Sequence, residues 1–151
     1  MCIRDRYTAY AADTLGEAGI EFIYNFECDE DREINIDPAQ FRRVLNNLID
    51  NSRKYGAEDG TAKIMLSVRN GENGHTEISI EDNGQGVPAD ERDKIFETFY
   101  RGDKARTGHK NGSGLGLAIT KQITDRHGAS IRADESELGG LKVIIDLPQA
   151  K

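Results

Sequence analysis

The chain has 151 residues, enough for one domain with a buried core and too few for two of ordinary size. Its mean hydropathy is −0.65 and no apolar run approaches the roughly 20 residues of a spanning helix, which excludes a membrane span within the sequence. Twenty-seven acidic against twenty basic side chains, a net charge of −7 and a pI near 5.0 leave no overall basic field for sequence-independent nucleic-acid binding.

The first residues lack the basic, apolar, small-residue order of a secretory signal. Cys2 and Cys28 stand far apart with no CxxC or Cys/His cluster, which reads as two reduced cytoplasmic thiols and not as a zinc site. From residue 3 to 18, Ile3, Tyr7, Tyr10, Ala11, Leu15 and Ala18 recur on one helical stripe, which Gly19 ends. No cap signal precedes this helix. Residues 1–18 are therefore expected to be a partial linker helix, truncated or non-native at its start, and 19–151 the folded domain; the opening Met-Cys-Ile-Arg-Asp-Arg is similar to a translated sequencing adapter.

Residues 20–26 alternate as a strand, and 34–36 form a short second one after an acidic turn. Asp37-Pro38 is a helix entry, a capping carboxylate followed by proline in the first turn. Phe41, Val44, Leu45, Leu48 and Ile49 then carry a helical apolar stripe as far as Tyr55, and Gly56 stops it. Segments 64–69 and 76–81 read as strands of a hairpin turning at 70–74, with His75 entering the second strand. Residues 115–127 form a second core helix with Leu115, Ala118, Ile119 and Ile123 inward, and His127-Gly128 closes it as a structural feature. Strands 130–134 and 141–147 follow, joined at Gly139-Gly140. Intermixed helices and hairpins predict an α/β fold, one mixed sheet with helices on one face.

Three stretches carry chemistry. On the first helix, about 100° per residue brings Asn47, Asn51 and Lys54 together at the edge of the apolar stripe, with Tyr55 between the two groups. Amide oxygens suit a hard cation such as Mg²⁺, and Lys54 is within reach of phosphate oxygens; solvated helix residues are the plainer reading of each alone. The second stretch, Glu81-Asp82-Asn83-Gly84-Gln85-Gly86, ends a strand in a carboxylate that can accept from an exocyclic amine, beside glycines that let a flat ring approach. An Asx-type turn is its alternative. In the third, Asn111-Gly112-Ser113-Gly114-Leu115-Gly116-Leu117, glycines lead into a helix N-terminus, whose main-chain N–H groups favour phosphate. The spacing is not GxGxxG and no Lys-Ser/Thr follows, so dinucleotide and P-loop sites are excluded. Between the last two stretches, Arg101, Lys104, Arg106, His109 and Lys110 face a single Asp103, as a cationic cover for a polyphosphate would.

In order, Asn47-x-x-x-Asn51-Ser-Arg-Lys54-Tyr55, Asp82-Asn-Gly84-Gln-Gly86, Ile95-Phe96-Glu97-Thr98-Phe99-Tyr100-Arg101 and Gly112-Ser-Gly114-Leu-Gly116-Leu resemble the N, G1, F and G2 boxes of the sensor histidine kinase ATP-binding domain. That domain belongs to the gyrase, chaperone, histidine kinase and mismatch-repair ATPase superfamily, and the resemblance covers about residues 20–148. It implies a two-layer α/β sandwich of the Bergerat type, with ATP and Mg²⁺ as cofactors. Asn51 would ligate the metal, and Asn47 and Lys54 would serve the phosphate side and the transfer. Tyr55, Phe99 and Arg101 would line the rim and lid, Asp82 would hold the adenine amine, and Gly84 and Gly86 would wall the base. Gly112, Ser113, Gly114, Leu115 and Gly116 would shape the phosphate end. Ser52 stands where alanine is common in the family.

The resemblance further implies a cytoplasmic kinase domain whose partners are a helical dimerisation domain bearing the acceptor histidine and a response regulator. His75, His109 and His127 have no such helical setting, so the chain alone is not expected to phosphorylate itself. The hydrolysing members often carry glutamate at the position of Asn47, so phosphoryl transfer is favoured over free hydrolysis. A nucleotide-dependent protein-binding module and an anti-sigma-type serine kinase are the alternative readings; the F-box phenylalanines Phe96 and Phe99 favour the sensor kinase.

Overall fold

In a computed structural model of the chain, the described residues are 20–28, 33–34, 36–55, 62–97 and 116–148. The expected helix at 3–18 lies outside them. Five strands form one mixed sheet: β1 (Ile20–Glu27), β2 (Ala62–Asn70), β3 (Thr76–Asp82), β4 (Ser130–Glu135) and β5 (Leu141–Leu147), in the order β1-β2-β3-β5-β4. Two α-helices, α1 (Pro38–Tyr55) and α2 (Gly116–Arg126), complete the described regular structure with three short 3-10 turns.

β1 and β2 are parallel neighbours, and α1 is the crossover such a pair requires. The other pairings are antiparallel: β2–β3 and β4–β5 are hairpins, and β5 pairs with β3 across a longer connection that carries α2 and β4. Alternation decides the faces. Ile64, Leu66 and Val68 of β2, Ile78 and Ile80 of β3, and Val143 and Ile145 of β5 are buried in one core with Leu45, Leu48 and Ile49 of α1 and Ile123 of α2. The intervening positions, among them Lys63, Arg69, Glu77 and Arg132, take the opposite face, where Lys63 meets Glu21 at 3.8 Å and Arg132 meets Glu77 at 3.9 Å. The mixed sheet with helices is the expected architecture.

The entry to α1 is built as its sequence predicts. Asp37 Oδ1 accepts from Ala39 N at 2.8 Å and from Gln40 N at 3.1 Å, satisfying two of the donors a helix start leaves open. All five residues of the predicted apolar stripe are buried.

Three details depart from expectation, and the β2–β3 turn falls within the expected 70–74. The short strand at 34–36 reduces to a bridge at Glu33 and Ile34, because the cap at Asp37 turns the chain into α1 immediately and Ile36 serves the core from a bend. The β2–β3 hairpin turns at Glu72–Gly74, with Asn73 at φ 56° and Gly74 at φ 79°. His75 lies just before β3 and not within it, its Nδ1 2.9 Å from Asp146 Oδ1. In α2 the most buried side chains include Thr120 and Thr124, both 0% exposed, while Ile119 is only half-buried. A threonine can face a core because its hydroxyl turns back onto its own helix: Thr120 donates to Gly116 O and Thr124 to Lys121 O, each at 2.9 Å.

Candidate functional site

β3 ends at Asp82, which is 3% exposed. A carboxylate so far from water needs donors. Its Oδ1 accepts from Gly84 N at 3.0 Å and Leu141 N at 3.2 Å, and the Ser52 side chain of α1 supplies a further hydrogen bond. Burial holds its carboxyl above the usual aspartate range, and the bonds from Gly84, Leu141 and Ser52 pull in the opposite direction. Three segments distant in sequence therefore converge on one carboxylate: the end of β3, the third turn from the start of α1's buried stripe, and the β4–β5 turn.

That turn is fitted closely. Gly140 N donates to Asp82 O at 3.1 Å, and Ser136 N donates to Gly140 O at 2.8 Å. A Cβ on Gly140 would collide with Asp82 Oδ1 and lie 2.5 Å from Asp82 O and 2.6 Å from Gly84 N. Gly86, at φ +72°, packs its Cα side against Gly140 and adopts a backbone conformation that side chains disfavour. On the opposite face of the sheet Glu81, 2% exposed, accepts from Ser136 Oγ at 3.0 Å. Asn83 Oδ1 accepts from Lys63 N at 2.8 Å and so fastens the loop to the start of β2. The sequence Glu81-Asp82-Asn83-Gly84 thus divides its labour: Glu81 and Asn83 anchor, and Asp82 faces the helix layer.

Asn47 and Asn51, one turn apart on α1, are both half-buried beside the core. Asn47 Nδ2 donates to Thr120 Oγ1 at 3.4 Å, and through that hydroxyl reaches Gly116 O at the first turn of α2. Asn47 and the glycine-led helix are thereby tied together. Far from this point, His127 joins the same two helices: its Nδ1 donates to Ile123 O at 2.8 Å, leaving Nε2 to accept from Asp37 N at 3.4 Å. This supports the structural role expected for His127.

The structure brings Asp82, Gly84 and Gly86 together and links Asn47 to Gly116 through Thr120, with Asn51 one turn beyond Asn47 on α1. Lys54 and Tyr55 belong to the last turn of α1, and their side chains lie outside the description. Phe99, Arg101, Gly112, Ser113, Gly114 and Leu115 lie outside the described residues. Phe96 is buried in the core beside Ile95. Three neighbours of Asp82, namely Ser52, Gly140 and Leu141, are not among the predicted site residues. Ser52 was noted only as a small residue in place of alanine. Gly140 ends the predicted Gly139-Gly140 turn and Leu141 opens the predicted strand 141–147, although two adjacent glycines opposite a strand-end carboxylate are a usable signal of close approach.

The donor set fits a nucleotide with a magnesium ion. A buried carboxylate with lone pairs beyond those bonded to the chain suits an amine, and a half-buried amide oxygen suits a cation that keeps several waters and phosphate ligands. Among the described residues no cluster of three His, Cys, Asp or Glu could hold a metal by itself.

A family model described as histidine kinase-, DNA gyrase B-, and HSP90-like ATPase matches residues 36–151. The chain is 41% identical over 132 residues to the sensor histidine kinase WalK of Bacillus subtilis, covering 87% of this chain and 21% of that protein, so it spans about a fifth of the length of the curated relative. Among solved structures it is similar to the ATP-binding domain of PrrB from Mycobacterium tuberculosis, at 28% identity and TM-score 0.75, covering 100% of this chain and 96% of that one. A mycobacterial sensor histidine kinase, MprB, matches at 29% identity and TM-score 0.74 over 97% of this chain and 91% of that one.

Proposed function

Because the chain belongs to the histidine kinase-, DNA gyrase B- and HSP90-like ATPase family, as the ATP-binding catalytic domain of a sensor histidine kinase, we propose that Asp82 holds the adenine of Mg-ATP and Asn51 its metal, and that the domain presents the γ-phosphate to a histidine on a separate helical dimerisation domain. The observation that carries this reading is the Asp82 carboxylate, buried and held by three donors of its own chain with acceptor capacity left over.

The roles follow from the residues. Asp82 accepts the exocyclic amine, while Gly84 and Gly86 keep the wall free of side chains where the ring lies. Asn51 offers its amide oxygen to the cation. Asn47, lacking a carboxylate, cannot take a proton from water; it orients the phosphate side and links α1 to α2 through Thr120. A bound Mg²⁺ neutralises phosphate charge and so lowers the barrier to displacement at the γ-phosphorus. Lys54 and Arg101 add cationic contacts to the phosphates, Tyr55 and Phe99 border them, and Gly112, Ser113, Gly114, Leu115 and Gly116 present main-chain N–H groups. Catalysis in such a site is positioning and charge neutralisation.

The acceptor histidine comes from elsewhere. His75 is paired with Asp146, and His127 is bonded at both ring nitrogens to the chain's own backbone. We assign residues 1–18 to the linker toward the dimerisation domain and 19–151 to the kinase domain. The response regulator is the onward partner, and the site of action is the cytoplasm; among the described residues no helix is long and apolar enough to cross a membrane.

Titration with a fluorescent ATP analogue tests the pocket. Asp82→Asn is expected to weaken binding by about tenfold or more with or without Mg²⁺, from loss of a hydrogen bond to a charged group. Asn51→Ala is expected to remove chiefly the Mg²⁺-dependent part. Unchanged affinity in Asp82→Asn refutes the assignment. Labelled ATP should leave no acid-labile phosphate on the chain alone and should label a cognate helical domain added to it.

A further inference from the structure

We infer that Ser52 is a positioning residue for base recognition: its hydroxyl, brought from α1 to the end of β3, aims the Asp82 carboxylate at a purine's exocyclic amine and thereby favours adenine over guanine. The inference rests on the reading of Asp82 as the base contact and adds to it the residue that sets the selectivity.

Acceptor arithmetic leads to it. An ionised carboxylate offers about four lone-pair directions, two on each oxygen. Gly84 N and Leu141 N take both on Oδ1. With the Ser52 hydrogen bond, three of the carboxylate's directions are taken and one is left for a ligand. The main-chain donors alone leave two directions open; the Ser52 hydroxyl removes one of them. Ser52 is itself only 5% exposed, so water does not readily replace it as donor. It also follows Asn51 directly, so one stretch of helix serves the metal end and the base end together.

The remaining direction accepts and does not donate. Adenine presents an amine there, a donor. Guanine presents a carbonyl, which a carboxylate repels. A protonated Asp82 would donate and could admit that carbonyl. Burial favours the protonated form, and the Ser52 bond opposes it. Among the described side chains, the other ionisable groups near this end face elsewhere. Glu81, Lys63 and Lys142 alternate onto the opposite face of the sheet; Asp50 on α1 and Glu137 in the β4–β5 turn are exposed; Arg92 bonds Val87 O and faces Asp134.

The test is displacement of a fluorescent ATP analogue by ATP and by GTP, from mildly acidic to mildly alkaline pH. It compares the wild-type chain, Ser52→Ala, Asp82→Asn and the double variant, each checked for folding by circular dichroism and melting. Alanine keeps the helix, being its best former. Ser52→Ala is expected to weaken ATP by roughly three- to tenfold, the worth of a hydrogen bond to a charged group, and not to weaken GTP, which should gain toward acid pH as Asp82 takes up its proton. The loss should deepen toward acid pH and vanish when Asp82 is already Asn. A Ser52→Ala chain that keeps the wild-type ATP-to-GTP ratio at every pH, whether by binding both normally or by losing both equally, overturns the inference. If Asp82→Asn loses ATP in that same experiment, the base-end assignment survives without Ser52. If Asp82→Asn binds ATP normally, the assignment and the inference fall together.

Discussion

Replacing Gly140 with alanine should damage stability and nucleotide affinity together, because the added methyl group has nowhere to go. Its Cβ would overlap Asp82 Oδ1 and lie 2.5 Å from Asp82 O and 2.6 Å from Gly84 N, main-chain and carboxylate atoms that cannot swing aside as a flexible side chain would. If the turn backs away, it stretches Gly140 N–Asp82 O (3.1 Å) and Leu141 N–Asp82 Oδ1 (3.2 Å). A neutral bond is worth about 1 kcal/mol and one to a carboxylate about 2, so retreat costs about 3 kcal/mol. If the turn holds, overpacking costs about 1–3 kcal/mol. At about 2–4 °C per kcal/mol for a domain of this size, Tm should fall by about 6–12 °C. ATP-analogue affinity should fall by about tenfold or more, because either route displaces the carboxylate proposed to receive the base. Gly139→Ala is the control. Gly139 has φ +105° and open space around it, so alanine there strains the backbone without touching Asp82. Both variants lose stability; only Gly140→Ala should lose affinity in a fluorescence titration at a temperature where both are folded. Wild-type affinity in Gly140→Ala, or equal losses in the two, would refute the reasoning.

Three further outcomes follow from the same geometry. The raised carboxyl of Asp82 means the folded state holds that proton more tightly than the unfolded chain, so its contribution to stability is full below the unfolded aspartate range and is lost as pH rises through the folded value. Unfolding by urea across acid to neutral pH should therefore show Asp82→Asn gaining on the wild type as pH rises, while its ATP binding is lost. Asp37→Ala removes the cap of α1 and should cost about 1 kcal/mol, or about 2–4 °C in Tm, with ATP affinity measured in parallel unchanged. His75→Gln alters a half-exposed hydrogen bond to Asp146 and should change stability by only about 0–1 kcal/mol in denaturant melts.

Local rules made most of this fold legible. Asp37-Pro38 set the start of α1 through a cap that needs no tertiary partner, and the 3.6-residue stripe then fixed which face Leu45, Leu48 and Ile49 bury. The strand-end position of Asp82 followed from period-two alternation in β3. What escaped was long-range. Nothing near position 52 announces that its hydroxyl meets residue 82, and nothing near position 140 announces the same carboxylate, because both contacts depend on the order in which β3 and β5 pair and on where α1 crosses them. The inward threonines of α2 escaped for a different reason. Hydropathy ranks Thr120 and Thr124 as polar, but each hydroxyl is satisfied within its own helix and only the methyl group is left to the core.

A domain with a net charge of −7 would seem a poor host for a triphosphate. Screening resolves the conflict: at physiological ionic strength exposed charges act over about 8 Å, so the sign of the whole chain matters less than the groups within one such radius of the phosphates. Along the sequence those groups are not spread evenly. Between residues 99 and 110, Arg101, Lys104, Arg106 and Lys110 stand against Asp103 alone, and the glycine-led start of α2 follows directly. The base end carries the opposite character, a single anion whose donors are all uncharged. With the roles proposed above, a carboxylate for the amine and a cationic segment for the phosphates would give the ligand one orientation, since reversing it would set phosphate against Asp82. The acidic remainder of the surface then acts only on free polyanions at a distance, where it slows encounter slightly and leaves the bound state untouched.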